Sequence, residues 1–268
     1  MNKTIFITIS KNNKLYTKHL YYNNKNTFKL LYYPNKNHIM KKKWDRNFRS
    51  FIIGSMLGDA HAERRKKNTR IIWATSLKNK PYLDYIYKVI NSYTPCNKPK
   101  ISHRRHKNGT IYSSIGFYTK THKAFNPIHD YFYNHKNKII PENLHQVICP
   151  LAIAIWFQDD GSKTNNAVRF ATNSLPNNQL QYLSDILYWK FGIPTKLHKT
   201  GKNTPHQRVI FVPTIYVKQF QYLIKPYVHP LMLYKFPNKI LTQDLIDKKI
   251  IKKYVNTSIQ HDIIKNYS

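Results

Sequence analysis

Acidic residues are scarce in this sequence, 12 against 45 basic ones, and two of them end its most apolar runs. Asp59 closes FIIGSMLGDAH (Phe51 to His61), and Asp160 closes LAIAIWFQDDG (Leu151 to Gly161), 101 positions later. A carboxylate at a helix C-terminus meets the negative end of the helix dipole. Two carboxylates brought together repel further. Divalent cations relieve both penalties, and oxygen ligands suit Mg²⁺, with Mn²⁺ as a substitute. Holding a divalent cation is the chemistry such a pair supports. One such Asp alone reads as a solvated turn residue; the pair within a repeat reads as one site built twice.

Other groups belong beside the pair. Asp159 precedes Asp160, but its counterpart at the same offset is Gly58, so symmetry selects Asp160 as the equivalent of Asp59. Lys138 in KIIP and Lys235 in KFP each sit shortly before a proline late in their half of the chain. A cation there would stabilise a transferring phosphoryl group or polarise water. Any exposed Lys in a protein of formal charge +33 competes for that role.

The elements that must position these residues repeat. After the first motif come Arg70-Ile-Ile-Trp-Ala-Thr-Ser76 and Pro81-Tyr-Leu-Asp-Tyr-Ile-Tyr87. After the second come Val168-Arg-Phe-Ala-Thr-Asn-Ser174 and Gln181-Tyr-Leu-Ser-Asp-Ile-Leu187. Each half adds a strand pair: Lys100 to His106 with Thr110 to Tyr118 around an Asn-Gly turn, and Thr195 to Lys199 with Gln207 to Val212. Short helices then follow at Lys123 to Asn134 and Ile215 to Tyr227. The periodicities predict an α+β chain of two pseudo-twofold-related αββαββα half-domains with antiparallel sheets, at 42–144 and 145–247. A basic Asn/Lys/Tyr-rich extension (1–41) precedes them and a basic tail (248–268) follows, both expected to carry less order. Gly54 and Gly58 share one face of the first motif helix and allow close helix approach, whereas Ile155 and Asp159 fill those places in the second.

Composition narrows the partner. Aromatics at 14% and hydrophobics at 41% exclude a disordered polycation. A charge of +33 makes nucleic acid the leading partner over a membrane surface. No apolar run is long enough to span a bilayer. Cys96 and Cys149 form no CxxC pair, and Cys96 with His103 and His106 imitates a metal cluster only loosely. Lys66, Lys67, Arg70, Arg104, Arg105, Lys163, Arg169, Lys196, Lys199 and Arg208 lie on or beside the strands. As a set they fit ribbons in a DNA major groove; singly, each is an ordinary surface charge. The bias toward Lys, Asn, Ile, Tyr and Phe fits an AT-rich organellar genome: mitochondrion, with chloroplast as the alternative.

FIIGSMLGDAH and AIAIWFQDDGSK resemble the two motifs of a double-motif LAGLIDADG homing endonuclease, and KAFNPIHDYFYNHKNKIIPENL and YLIKPYVHPLMLYKFPNKI extend the similarity over about Phe51 to Ile240. The resemblance implies paired motif helices between saddle-shaped DNA-binding sheets, in a monomer that cuts both strands of a long double-stranded site across the minor groove. It carries the metal-binding aspartates onto Asp59 and Asp160, and the basic active-site residues onto Lys138 and Lys235. An intron maturase binding its host intron RNA suits the same charge. An inert basic structural protein leaves the two acidic helix ends unexplained.

Overall fold

The computed structural model describes residues 44–106, 108–201, 204 and 206–237, with the backbone of three strands nearer the start. Those strands, β1 (Thr4–Lys11), β2 (Lys14–Tyr22) and β3 (Phe28–Tyr32), form an antiparallel sheet in that order, within a unit of its own, Met1–Lys43. The expected tail at 248–268 and the last residues of the second half-domain lie outside the described residues.

The second unit opens with α1 (Arg46–Leu57), fixed at its start by the Asp45 carboxylate, which accepts the Phe48 N–H at 2.7 Å. Tyr93 donates its hydroxyl to the same carboxylate at 2.9 Å, tying in the end of the helix at Lys80–Tyr93. Next come β4 (His61–Arg65), β5 (Asn68–Ser76), α2 (Lys80–Tyr93), β6 (Lys100–Arg105), β7 (Ile111–Tyr118) and α3 (Asn126–Phe132). A short ladder of β8 (Tyr133–Asn134) and β9 (Asn137–Lys138) and the turn of α4 (Leu144–Val147) lead to the second half. It repeats the order: α5 (Pro150–Asp160), β10 (Gly161–Thr164), β11 (Ala167–Phe170), α6 (Asn177–Phe191), β12 (Lys196–Lys199), β13 (Arg208–Val212) and α7 (Thr214–Ile224).

The two sheets share one topology, β4-β5-β7-β6 and β10-β11-β13-β12, all antiparallel. Strand alternation sorts their faces. Thr69, Ile71 and Trp73 of β5 are buried, as are Ile115 and Phe117 of β7; Trp73 stacks on Phe117 at 5.0 Å. In the second half Phe170, Trp156, Phe157, Phe220 and Phe236 form an aromatic core. The opposite face of each sheet is turned away from the helices.

The motif helices lie side by side in the centre. Every residue of α5 from Ala152 to Gln158 is buried, as expected of a helix apolar all round. The close approach rests on one helix alone. A Cβ placed on Gly54 would lie 2.4 Å from Ala152 O and 2.8 Å from Ile155 Cβ; one on Gly58 would lie 2.5 Å from Asp159 Oδ2. Ile155 and Asp159 thus seat in the notches that the two glycines leave open.

Candidate active site and nucleic-acid face

Both motif helices end at one place. Gly58 caps α1 by donating to Gly54 O at 3.1 Å, so Asp59 projects from the residue after the helix. Asp160 is the last residue of α5, and Gly161 turns directly into β10. Asp59 is exposed; Asp159 and Asp160 are partly covered.

The two lysines sit beneath these ends and close them. Lys138 Nζ donates to Gly58 O at 2.9 Å and to Ala60 O at 3.0 Å. Lys235 Nζ donates to Gln158 O, and to Asp159 O at 2.9 Å. Cations bonded to the last carbonyls offset the negative end of each helix dipole. Their second effect is on the carboxylates. Desolvation at the crowded helix ends pushes the Asp59 carboxyl above its usual range, with Lys235 and Lys138 pulling the other way. Burial, then repulsion from Asp59, pushes Asp160 up to about 7. Asp159 is driven well above the usual range by burial, then by Asp59 and Asp160. Burial pulls both lysines down, and the three carboxylates hold them up. Three carboxyls crowd two ammonium groups here, and each raised carboxyl is one whose charge the site disfavours.

Asp159 is the element that sequence spacing left aside as a neighbour. Its Oδ2 accepts the Asp59 N–H at 3.4 Å, and its Oδ1 accepts the Tyr82 hydroxyl at 3.5 Å. Tyr82 comes from α2 of the other half, and nothing in its own sequence context marks it for the site. A cleft lined by Asp59, Thr75, Asn79, Tyr82, Gln158 and Asp159 opens here. Asp59 and Asp160 fit a hard divalent ion. Among the described residues no three side chains converge as a ready-made metal cage, and Mg²⁺ characteristically binds through one or two carboxylates plus water and substrate phosphates. The loose Cys96, His103 and His106 grouping forms no such cage either, and burial pushes the Cys96 thiol up to about 12, where it is a poor ligand.

Register separates the ten basic candidates. Arg70 and Arg104 share the face of the first sheet turned from the helices, and Arg169 and Lys196 share the corresponding face of the second. Arg70 is braced there by Glu63, whose carboxylate accepts from Nε at 2.5 Å, and lies 4.3 Å above the Tyr118 ring. Lys66 and Lys67 make the β4–β5 turn, Lys66 at φ 49, where the second half has Asn165 at φ 51. Arg105, Lys163, Lys199 and Arg208 alternate onto the other face. Lys100, Ser102, Tyr112, Ser114 and His198 complete the outward faces; counting strand parity from the buried positions would have found them. All of β6 is exposed, so it stands clear of the helices together with the start of β7, where Ile111 and Tyr112 are exposed.

Known proteins converge on this architecture. Residues 49–221 match the model of the LAGLIDADG DNA endonuclease family, and the chain belongs to that family. It is 35% identical over 203 residues to the cytochrome b mRNA maturase bI2 of Debaryomyces hansenii, covering 74% of this chain and 76% of that protein. It is 37% identical to the maturase of the same name from Saccharomyces cerevisiae, covering 72% of this chain but only 48% of that longer protein. A solved structure, the homing endonuclease I-WcaI bound to its DNA recognition sequence, superposes with a TM-score of 0.65 at 26% identity, covering 76% of this chain and 93% of that one. The paired half-domains and antiparallel sheets are therefore the family's saddle fold.

Proposed function

We propose that this member of the LAGLIDADG family is a site-specific, double-strand DNA endonuclease that hydrolyses one phosphodiester on each strand of a long asymmetric site and promotes intron mobility. The observation that carries the reading is the convergence of Asp59, Asp160, Lys138 and Lys235 at the paired helix ends. The two segments KAFNPIHDYFYNHKNKIIPENL and YLIKPYVHPLMLYKFPNKI lead us to group it with the omega-intron endonuclease within the family. Relatives named for a cytochrome b message favour the mitochondrion over the chloroplast.

Asp59 and Asp160 would hold divalent cations, Mg²⁺ or Mn²⁺, which when bound activate water and neutralise developing phosphate charge. The chain's own residues arrange everything else. The two carboxylates are delivered by helices that cannot slide apart without emptying the Gly54 and Gly58 notches. Lys138 and Lys235 hold positive charge within reach of both. Arg70, Arg104, Arg169 and Lys196 face outward from the sheets toward the duplex, with Lys66 and Lys67 at a ribbon tip. Affinity is then largely electrostatic and falls steeply with salt. Base contacts from the ribbons and bending of the duplex select the site.

The test is direct. Purified protein with Mg²⁺ is given the host gene lacking its intron. A staggered double-strand cut at the insertion point is expected, and none in the Asp59→Asn variant, which still binds. An uncut gene, or normal cutting by that variant, overturns the reading.

Two relatives bearing the name maturase favour a second reading, in which the same basic chain binds its host intron RNA and assists splicing. Splicing measured in a strain lacking the protein separates the readings. Unaffected splicing removes the maturase role, and splicing rescued by the Asp59→Asn variant assigns it to a surface that does not need the aspartates.

A further inference from the structure

A cross-strand pair lies beside the reactive aspartate in each half. His61 faces Ile72 across β4 and β5, and Ser162 faces Arg169 across β10 and β11. The pairs occupy one place in the repeat. His61 follows Asp59 by two residues as Ser162 follows Asp160, and Ile72 precedes Trp73-Ala74-Thr75 as Arg169 precedes Phe170-Ala171-Thr172. Both pairs point away from the helices, because Ile71, Trp73, Val168 and Phe170, which flank them, are buried. Each pair holds one long N–H donor, but the donor has changed strands between the halves.

Those donors are well placed to be used. The His61 ring is exposed, lies within the field of Lys138, and makes no hydrogen bond among the described residues. Arg169 is exposed and, among the described residues, commits its Nε alone, at 3.2 Å, to Ser162 Oγ. The lysines are more heavily committed. Each ammonium carries three N–H donors and already spends two on helix-end carbonyls. A phosphate gaining charge in the transition state calls for further donors aimed at its oxygens.

We propose that His61 and Arg169 are counterpart catalytic residues, each donating to the scissile phosphate at its own half and so serving the cut of one strand only. The proposal rests on the endonuclease reading above. Relocating the donor from the first strand to the second keeps its place at the pair while changing the side chain, which gives two unlike half-sites in one chain.

Supercoiled plasmid carrying the target, incubated with Mg²⁺ and resolved strand by strand, tests it. His61→Ala slows one strand about 10-fold or more, the rate equivalent of a charge-assisted hydrogen bond, and open circles accumulate with the nick in the other strand. Arg169→Ala slows the opposite strand to a similar degree. His61→Gln, which retains an N–H donor, recovers part of the loss. Affinity for the target measured without divalent metal stays within a few fold of the unsubstituted protein in both His61 variants. Equal slowing of both strands, or slowing of the same strand by both substitutions, overturns the assignment. Unsubstituted protein that leaves the plasmid intact overturns the endonuclease reading itself, so the two failures are told apart.

Discussion

The two motif helices end in one site, yet they meet it with opposite surfaces. α1 presents notches, at Gly54 and Gly58; α5 presents the groups that fill them, Ile155 and Asp159. Equivalent positions face each other, as a twofold repeat requires. Two copies of the first half would therefore leave voids along the seam. Two copies of the second would set Ile155 against Ile155 and Asp159 against Asp159. Close approach needs only one small partner per contact, and α1 supplies the glycine at both. This complementarity fits each half to its partner in the same chain.

The largest expected effect tests where the halves remain alike. Asp59→Asn and Asp160→Asn should each reduce cutting on the order of 10³-fold, several kcal/mol of transition-state stabilisation, measured as plasmid linearisation. Asp159→Asn should lose no more than ~10-fold, since the amide oxygen can still accept the Asp59 N–H while its NH2 donates to the Tyr82 hydroxyl oxygen. Equal losses at Asp159 and Asp160 would erase the distinction between ligand and filler.

The seam itself comes next. Gly54→Ala should destabilise the protein by about 3 kcal/mol, because the atom its Cβ meets is a backbone carbonyl oxygen that no rotamer change can move. Ile155→Ala, emptying the same contact from the other side, should cost about 2 to 4 kcal/mol through the cavity left. Both are read from urea midpoints. A neutral Gly54→Ala would mean that the helices do not pack as closely as the seam requires.

Much of this was legible because the repeat states each element twice. The αββαββα order follows from period-3.6 and period-2 runs recurring in register, and the aspartates from their place at the ends of those runs. Faces were harder. Ten basic residues read as one set divide in the structure, because adjacent strand residues point oppositely; Arg104 and Arg105 are the plainest case. Tyr82, and the helix-end carbonyls that Lys138 and Lys235 bind, were not legible. Those contacts join residues 76 to 80 positions apart, and no local periodicity encodes them.

A pH experiment sharpens the electrostatic side of the comparison. Burial, then repulsion from Asp59, pushes the Asp160 carboxyl up to about 7 in the folded chain, against the ordinary ~3.9 of an Asp in an unfolded chain. The folded state therefore holds a proton that the unfolded state has released between those values, and stability falls as pH rises through the window. Metal-free protein should melt a few degrees higher at pH 5 than at pH 8. Asp160→Asn should flatten that slope, and Mg²⁺ should raise the melting point mainly at the higher pH. A slope unchanged in Asp160→Asn would place the titration elsewhere.

The smallest effect concerns Tyr82 and Tyr182, repeat counterparts on α2 and α6 whose hydroxyls both leave their own helix. Tyr182 donates to Glu142 O at 2.5 Å and pairs with His145 Nδ1 at 2.8 Å, in the segment that joins the halves. Tyr82 reaches Asp159 at 3.5 Å, a long contact. Tyr182→Phe should therefore cost about 1 kcal/mol of stability, and Tyr82→Phe about 0.5. Activity should rank them the other way. Tyr82 steadies the carboxylate that accepts the Asp59 N–H, so its loss should slow cutting by roughly 2-fold, an effect of about 0.4 kcal/mol, while Tyr182→Phe leaves the rate unchanged. The opposed ranking is the point of the pair: a hydroxyl inherited at one position braces the joint in one half and the reactive site in the other. If both substitutions lowered stability and activity in proportion, the two tyrosines would still share a single structural role.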